Sequence, residues 1–127
     1  MTTASPESVR LAAEAILDGL CLPAPWKILD IDWTPGSPTP VKVTAGPYPR
    51  EVVSAYCDPD RPWPETVARL ASDLQDHACE VHWGRPFPPC PGHTHPLSTG
   101  VADGVAVWEC PVSPRHHRSP IIQAGTP

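Results

Sequence analysis

The chain has 127 residues, 40% of them apolar, a formal net charge of −5 and a pI near 5.6. That length suits one domain, which would bury roughly two thirds of its unfolded surface, and a charged content of 18%, below the usual ~25%, argues against a disordered chain. Nine lysines and arginines against fourteen acids disfavour a large phosphate-binding surface, because nucleic-acid affinity rests on cations that displace counterions.

Prolines divide the chain. There are twenty, and they avoid 7–22, 50–58, 65–85 and 97–110. Proline breaks helix interiors and sheet ladders, so regular structure is expected where it is missing. The N-terminal stretch lacks a basic segment followed by an apolar one, and no run approaches the ~20 apolar residues of a membrane span. A soluble, cytoplasmic protein with no membrane partner is the expectation, in which Cys21, Cys57, Cys79, Cys90 and Cys110 stay reduced as core residues or ligands.

Taken in chain order, the first proline-free window predicts a helix. Ser5 can cap it and Pro6 suits its first position. Val9, Ala12, Ala13, Ile16, Leu17 and Leu20 follow a 3.6-residue period, and Gly19 is expected to mark the end. Three strand-like runs follow, at 26–33, 41–44 and 51–57. In the first, Leu29, Ile31 and Trp33 alternate with charged residues, which places Asp30 and Asp32 on a solvated face. A second helix begins at Trp63 and Pro64, with Val67, Leu70, Ala71, Leu74, Ala78 and Val81 on its apolar stripe. His77 is placed on that stripe as a partly buried, satisfied side chain. A small antiparallel sheet with two helices packed on one face buries all of these stripes, an α+β arrangement. The expected layout is one domain over 1–127: a helix–strands–helix body at 1–85 and a zinc-bound β-hairpin at 86–118. Ile121 and Ile122 are expected to rest against the body, with the chain beyond them fraying.

The segment "PPCPGHTHPL" at 88–97 sets Cys90, His93 and His95 within six positions. Cys90 and His93 have the C-x2-H reach of a tight knuckle around a tetrahedral ion. His93 and His95, two apart in extended chain, point the same way. Asp103-Gly104 is a two-residue hairpin signal between "STGVA" and "VAVWEC". With Ala102 opposite Val105, opposed residue numbers sum to 207, so Cys110 faces Leu97 on the side shared by His93 and His95. Such diagonal neighbours lie about 7–8 Å apart at the backbone, from which cysteine and histidine side chains can meet one Zn²⁺ at about 2.0–2.3 Å. A mixed thiolate–imidazole set suits zinc, whereas Mg²⁺ and Ca²⁺ want oxygen. Cys90, His93, His95 and Cys110 are therefore the expected ligands. His116 or His117 is the alternative to His95, in the manner of a zinc ribbon.

The stretch "CPGHTHPL" followed by "GVAVWECP" resembles a group of small, uncharacterised bacterial zinc-binding proteins. These carry a Cys-Pro-x-His and His-Pro-Leu motif and a later Trp-x-Cys-Pro strand. The resemblance spans about 70–112, including the helix ending "HWG". It implies zinc at Cys90, His93, His95 and Cys110 and brings no established activity.

Catalytic signatures are missing: there is no H-E-x-x-H, no deaminase H-x-E with P-C-x-x-C, no phosphate loop and no G-x-S-x-G. Glu109 adjoins Cys110, but neighbours on a strand face opposite ways, so it is poorly placed as a base. Cys79 and His82 repeat the C-x2-H spacing at an offset common on helices. "RHHR" at 115–118 could touch phosphate, and an exposed tail explains it equally well. The leading expectation is a non-enzymatic binding or accessory module with a structural zinc site. Its rivals are a three-ligand zinc hydrolase and a ribbon-like nucleic-acid binder. A protein partner is compatible with this reading. Prolines at 35, 38, 40, 47 and 49 blunt the sheet edges, which points to a monomer or weak homodimer.

Overall fold

The computed structural model describes residues 4–38 and 40–122. Helix α1 spans Pro6–Leu20 and opens with a capping box. The Ser8 N–H donates to Ser5 Oγ at 3.1 Å, and the Ser5 N–H donates to Ser8 Oγ at 2.7 Å, which satisfies two donors that a helix start leaves open. The expected stop at Gly19 is one residue early. Leu20 is still helical, and Cys21 caps the end in the left-handed region at φ 58°. Gly19 matters for packing instead. A Cβ there would come 3.0 Å from Trp108 Nε1, so glycine lets α1 approach that indole.

Strands β1 (Lys27–Trp33), β2 (Val41–Gly46) and β3 (Val53–Cys57) form an antiparallel meander in that order. Val41, Val43 and Ala45 on β2 alternate inward with no exposure, and Ala55 and Cys57 on β3 are buried in the same alternation. Strict alternation fails in β1. A register shift between Ile28 and Asp30 leaves Leu29 exposed and puts Ile28, Ile31 and Trp33 on the core. A β-bulge adds one residue to one strand and turns the side chains before it to the other face, which corrects the inward placement of Leu29. Asp30 and Asp32 lie exposed, as expected.

Helix α2 (Trp63–Val81) buries Val67, Leu70, Ala71, Leu74 and Ala78. Each buried leucine stabilises the fold by roughly 2 kcal/mol, and the alanines let the helix come close to its neighbours. His77 is partly buried and has a partner, as expected. Its ring is one-third exposed and lies 3.7 Å from Asp73, while Gln75 takes the buried position. No described helix is long and apolar enough to cross a membrane.

A second antiparallel sheet follows: β4 (Ser98–Ala102), β5 (Val105–Glu109) and β6 (Arg118–Pro120). Asp103 and Gly104 both have positive φ, 52° and 74°, the geometry of a type I′ turn. The pairs run from Ala102↔Val105 to Ser98↔Glu109, the register expected from that turn. The expected two-stranded hairpin has a third strand, because "RSP" pairs with Val107–Glu109. Its shortness and its proline hid it. Ile121 is buried and Ile122 packs on the core, as expected; the chain beyond Ile122 lies outside the described residues. Phe87, Cys90, Leu97, Trp108, Cys110 and Ile121 join the same core cluster as α1, α2 and the first sheet.

Candidate metal centre

The loop that carries Cys90 is held from both sides. Leu97 donates its N–H to the Pro88 carbonyl at 2.9 Å, Cys90 donates to the His95 carbonyl at 3.2 Å, and Pro89 bridges Pro96. Inside the loop, the His93 N–H donates to the Cys90 carbonyl at 3.1 Å. Pro91 and Gly92 fill the two central positions, with Gly92 at φ 77°. That is a type II turn, which needs glycine at its third position and favours proline at its second. The C-P-G-H sequence thus brings the Cys90 and His93 side chains to one point.

Gln75 anchors the loop to α2. Its amide nitrogen donates to the Phe87 carbonyl at 3.0 Å and to the Leu97 carbonyl at 2.5 Å. One buried side chain ties both legs of the loop to the helix. Sequence reading missed it; the available signal was a lone amide beside an apolar stripe.

Cys110 arrives from the end of β5, and its N–H donates to the His117 carbonyl at 3.0 Å. The ligand-type atoms of Cys90, His93, His95 and Cys110 all lie within 4.8 Å of one another, so this group could hold a metal ion. His93 Nδ1 is 3.3 Å from Cys90 Sγ and 3.6 Å from Cys110 Sγ. A tetrahedral ion with bonds of 2.0–2.3 Å separates its ligands by about 3.3–3.8 Å, so both spacings fit a tetrahedron's edges.

His95 contributes its other nitrogen. Its Nδ1 lies 3.1 Å from the Pro96 carbonyl, and only an N–H can satisfy that contact. In the neutral ring Nε2 is then the acceptor. It is buried and has no hydrogen-bond partner. An orphaned buried lone pair is costly, and a metal ion is the partner such an imidazole commonly takes, with the opposite N–H fixed on a carbonyl.

Electrostatics favour ligand forms at two of the four residues. Desolvation lowers the His93 pKa, and repulsion from His116 and His95 lowers it further, which favours the neutral imidazole. Burial pushes the Cys110 thiol up, but N–H groups of Ser113 and Val112 and the Cys90 thiol outweigh it and the net shift is down. Donors aimed at sulfur favour the thiolate. Cys90 moves the other way, through burial first and then its hydrogen bond to Cys110 and that residue's charge.

His116 does not trail away as tail. Its ring packs on His93 with centroids 4.3 Å apart, and its Nε2 contacts the Pro91 carbonyl. His117 lies 3.3 Å from Ser119 Oγ. Arg118 is in β6, with Nε and Nη2 both 3.0 Å from Glu109 Oε2. The other C-x2-H pair is split between two structural contacts. His82 Nε2 accepts from Trp26 Nε1 at 3.0 Å, and Cys79 Sγ is 3.7 Å from the Phe87 carbonyl.

No protein-family model, curated protein or solved structure matches the chain.

Proposed function

We propose that this chain is a non-enzymatic binding or accessory module in which Cys90, His93, His95 and Cys110 close a structural zinc site. The observation that carries the reading is the buried, unpartnered Nε2 of His95, set in one group with two buried cysteines. Two thiolates and two imidazoles are a donor set that suits tetrahedral Zn²⁺ and suits the harder divalent ions poorly. Four protein ligands leave no position for a reacting water, which separates a structural site from a catalytic one.

The carboxylate picture agrees. The metal-ligating group contains no aspartate or glutamate, and Glu109, next in sequence to Cys110, is held by Arg118. A hydrolase built here would lack a nearby general base. The net charge of −5 speaks against the nucleic-acid reading. A reducing, cytoplasmic setting would keep Cys90 and Cys110 available as thiolate ligands. The shared Cys-Pro-x-His, His-Pro-Leu and Trp-x-Cys-Pro pattern extends the same role to the bacterial group that the sequence resembles. The protein acts as a monomer or weak homodimer, and a protein is its expected kind of macromolecular partner.

Cobalt substitution tests the reading. The Co²⁺ form should show intense tetrahedral bands with thiolate charge transfer, unchanged by cyanide. Bands that shift when cyanide is added would reveal an open position and favour the hydrolase.

A further inference from the structure

The four residues of the metal centre are not equally covered. Cys90 and Cys110 are buried and His95 is half-buried, but His93 is exposed. The open side of the group is therefore the His93 side, and a metal site needs such an entry path. Among the described residues, His95 and His116 are the ring neighbours of His93, with centroids 4.6 and 4.3 Å away. His95 is in the ligand set. His116 is not, so it covers the entry from outside.

His116 belongs to a strap. Residues 111–116 leave the second sheet after Cys110 and return to it at β6. The strap is tied at its base, where the Cys110 N–H donates to the His117 carbonyl at 3.0 Å, and its tip folds on itself through the His116 N–H and the Ser113 carbonyl, also at 3.0 Å. Toward the knuckle it reaches out through one side chain. His116 donates its Nε2–H to the Pro91 carbonyl, twenty-five residues away in the chain. The same ring lies over the turn, with Cε1 3.8 Å from where a Gly92 Cβ would stand. The base continues the backbone pairing of a sheet, whereas the tip is fastened by a single bond at an exposed residue. One neutral hydrogen bond shifts an equilibrium by about ten-fold or less, so the tip is the part that opens first.

We infer that His116 is the gate of the metal centre, closed while its N–H holds Pro91 and its ring covers His93, and open to a chelating partner once that fastening is released. The inference rests on the proposed zinc set and adds how metal is gained and lost there. His116 acts through Pro91 and His93, which makes it a positioning residue and not a ligand.

Transfer of zinc from the loaded full chain to a chromophoric chelator is the test. In the native chain, transfer should be first-order and independent of chelator concentration, because opening limits it. His116→Ala should transfer zinc faster by more than the about ten-fold that its affinity falls, and its rate should now climb with chelator concentration. His116→Phe keeps a ring and loses the Pro91 bond. It should change in the same direction by a smaller factor, and it stands in if His116→Ala does not fold. The gate is overturned by a native rate that already climbs with chelator concentration. It is equally overturned by variants that speed up only in proportion to their loss of affinity and stay first-order. Iodoacetamide labelling of Cys90 and Cys110 reads access without metal. A chain purified without zinc discards the metal reading; the gate then stands if His116→Ala labels these thiols faster, and falls if the rates are equal. A zinc-loaded chain that fails the transfer test keeps the metal reading and discards the gate.

Discussion

The sulfur of Cys110 lies 3.6 Å from Nδ1 of His93, although seventeen residues separate them in the chain. Two local devices produce this meeting. The Pro91-Gly92 turn folds His93 back toward Cys90, and the Asp103-Gly104 turn sets the register that returns Cys110 to the same place. Neither turn is near the other, so their agreement at one point is what identifies a site rather than a loop.

Replacing Cys110 with serine removes one of two sulfurs. The variant should lose zinc and loosen residues 97–110 while α1 and α2 keep their far-UV signal. Hydrogen exchange should show protection lost in β4 and β5 and retained over 65–81. A full equivalent of zinc in Cys110→Ser, with protection unchanged, would remove this cysteine from the ligand set.

His95 and His116 should respond differently. Zinc-finger-type sites bind with on the order of 12 kcal/mol, about 3 per ligand, so His95→Ala should weaken zinc more than about 100-fold. His116→Ala removes a ring packed on His93 and should cost about ten-fold, the low end for an outer partner. Competition against a chromophoric chelator reads both values. The opposite ranking would make His116 the ligand.

Gln75→Ala should destabilise the protein without touching a ligand. It leaves the Phe87 and Leu97 carbonyls without their amide donor, which costs about 2–4 kcal/mol. Urea unfolding of the zinc-loaded chain measures this directly. A loss under about 1 kcal/mol would show that the clamp contributes little.

Much of this arrangement is legible in the residues. The capping signal at Ser5, the alternation in β2 and the Asp103-Gly104 turn are local, and each follows from short-range sterics. The four clustered residues were readable because two turns fixed their faces. What escaped depended on tertiary context. Nothing local marks a bulge before Asp30, so Leu29 appeared to point inward. Strand β6 has three residues and ends in proline, so only pairing with β5 defines it. Gln75 reads as a polar interruption until the carbonyls it serves are in place. Gly19 looks like a helix stop, but its reason is Trp108, far along the chain on β5.

Cys57 supplies a pH test away from the metal. Burial, with the nearby Asp58 charge, raises its thiol from an ordinary value near 9 to about 11. The folded chain therefore holds this proton more tightly than the unfolded chain. The resulting stability is fully present below about pH 9 and lost as pH rises toward about 11. Cys57→Ala should be less stable at neutral pH, and its deficit should shrink by roughly 2 kcal/mol across that window. A constant deficit from about pH 8 to about 11 would contradict the shift.

Zinc K-edge X-ray absorption on protein purified without added metal decides whether these four side chains hold zinc. One zinc per chain is expected in a four-coordinate shell, with two sulfurs near about 2.3 Å and two imidazole nitrogens near about 2.0 Å. A shell of oxygens, a single sulfur, a fifth light-atom ligand or no zinc at all would contradict it.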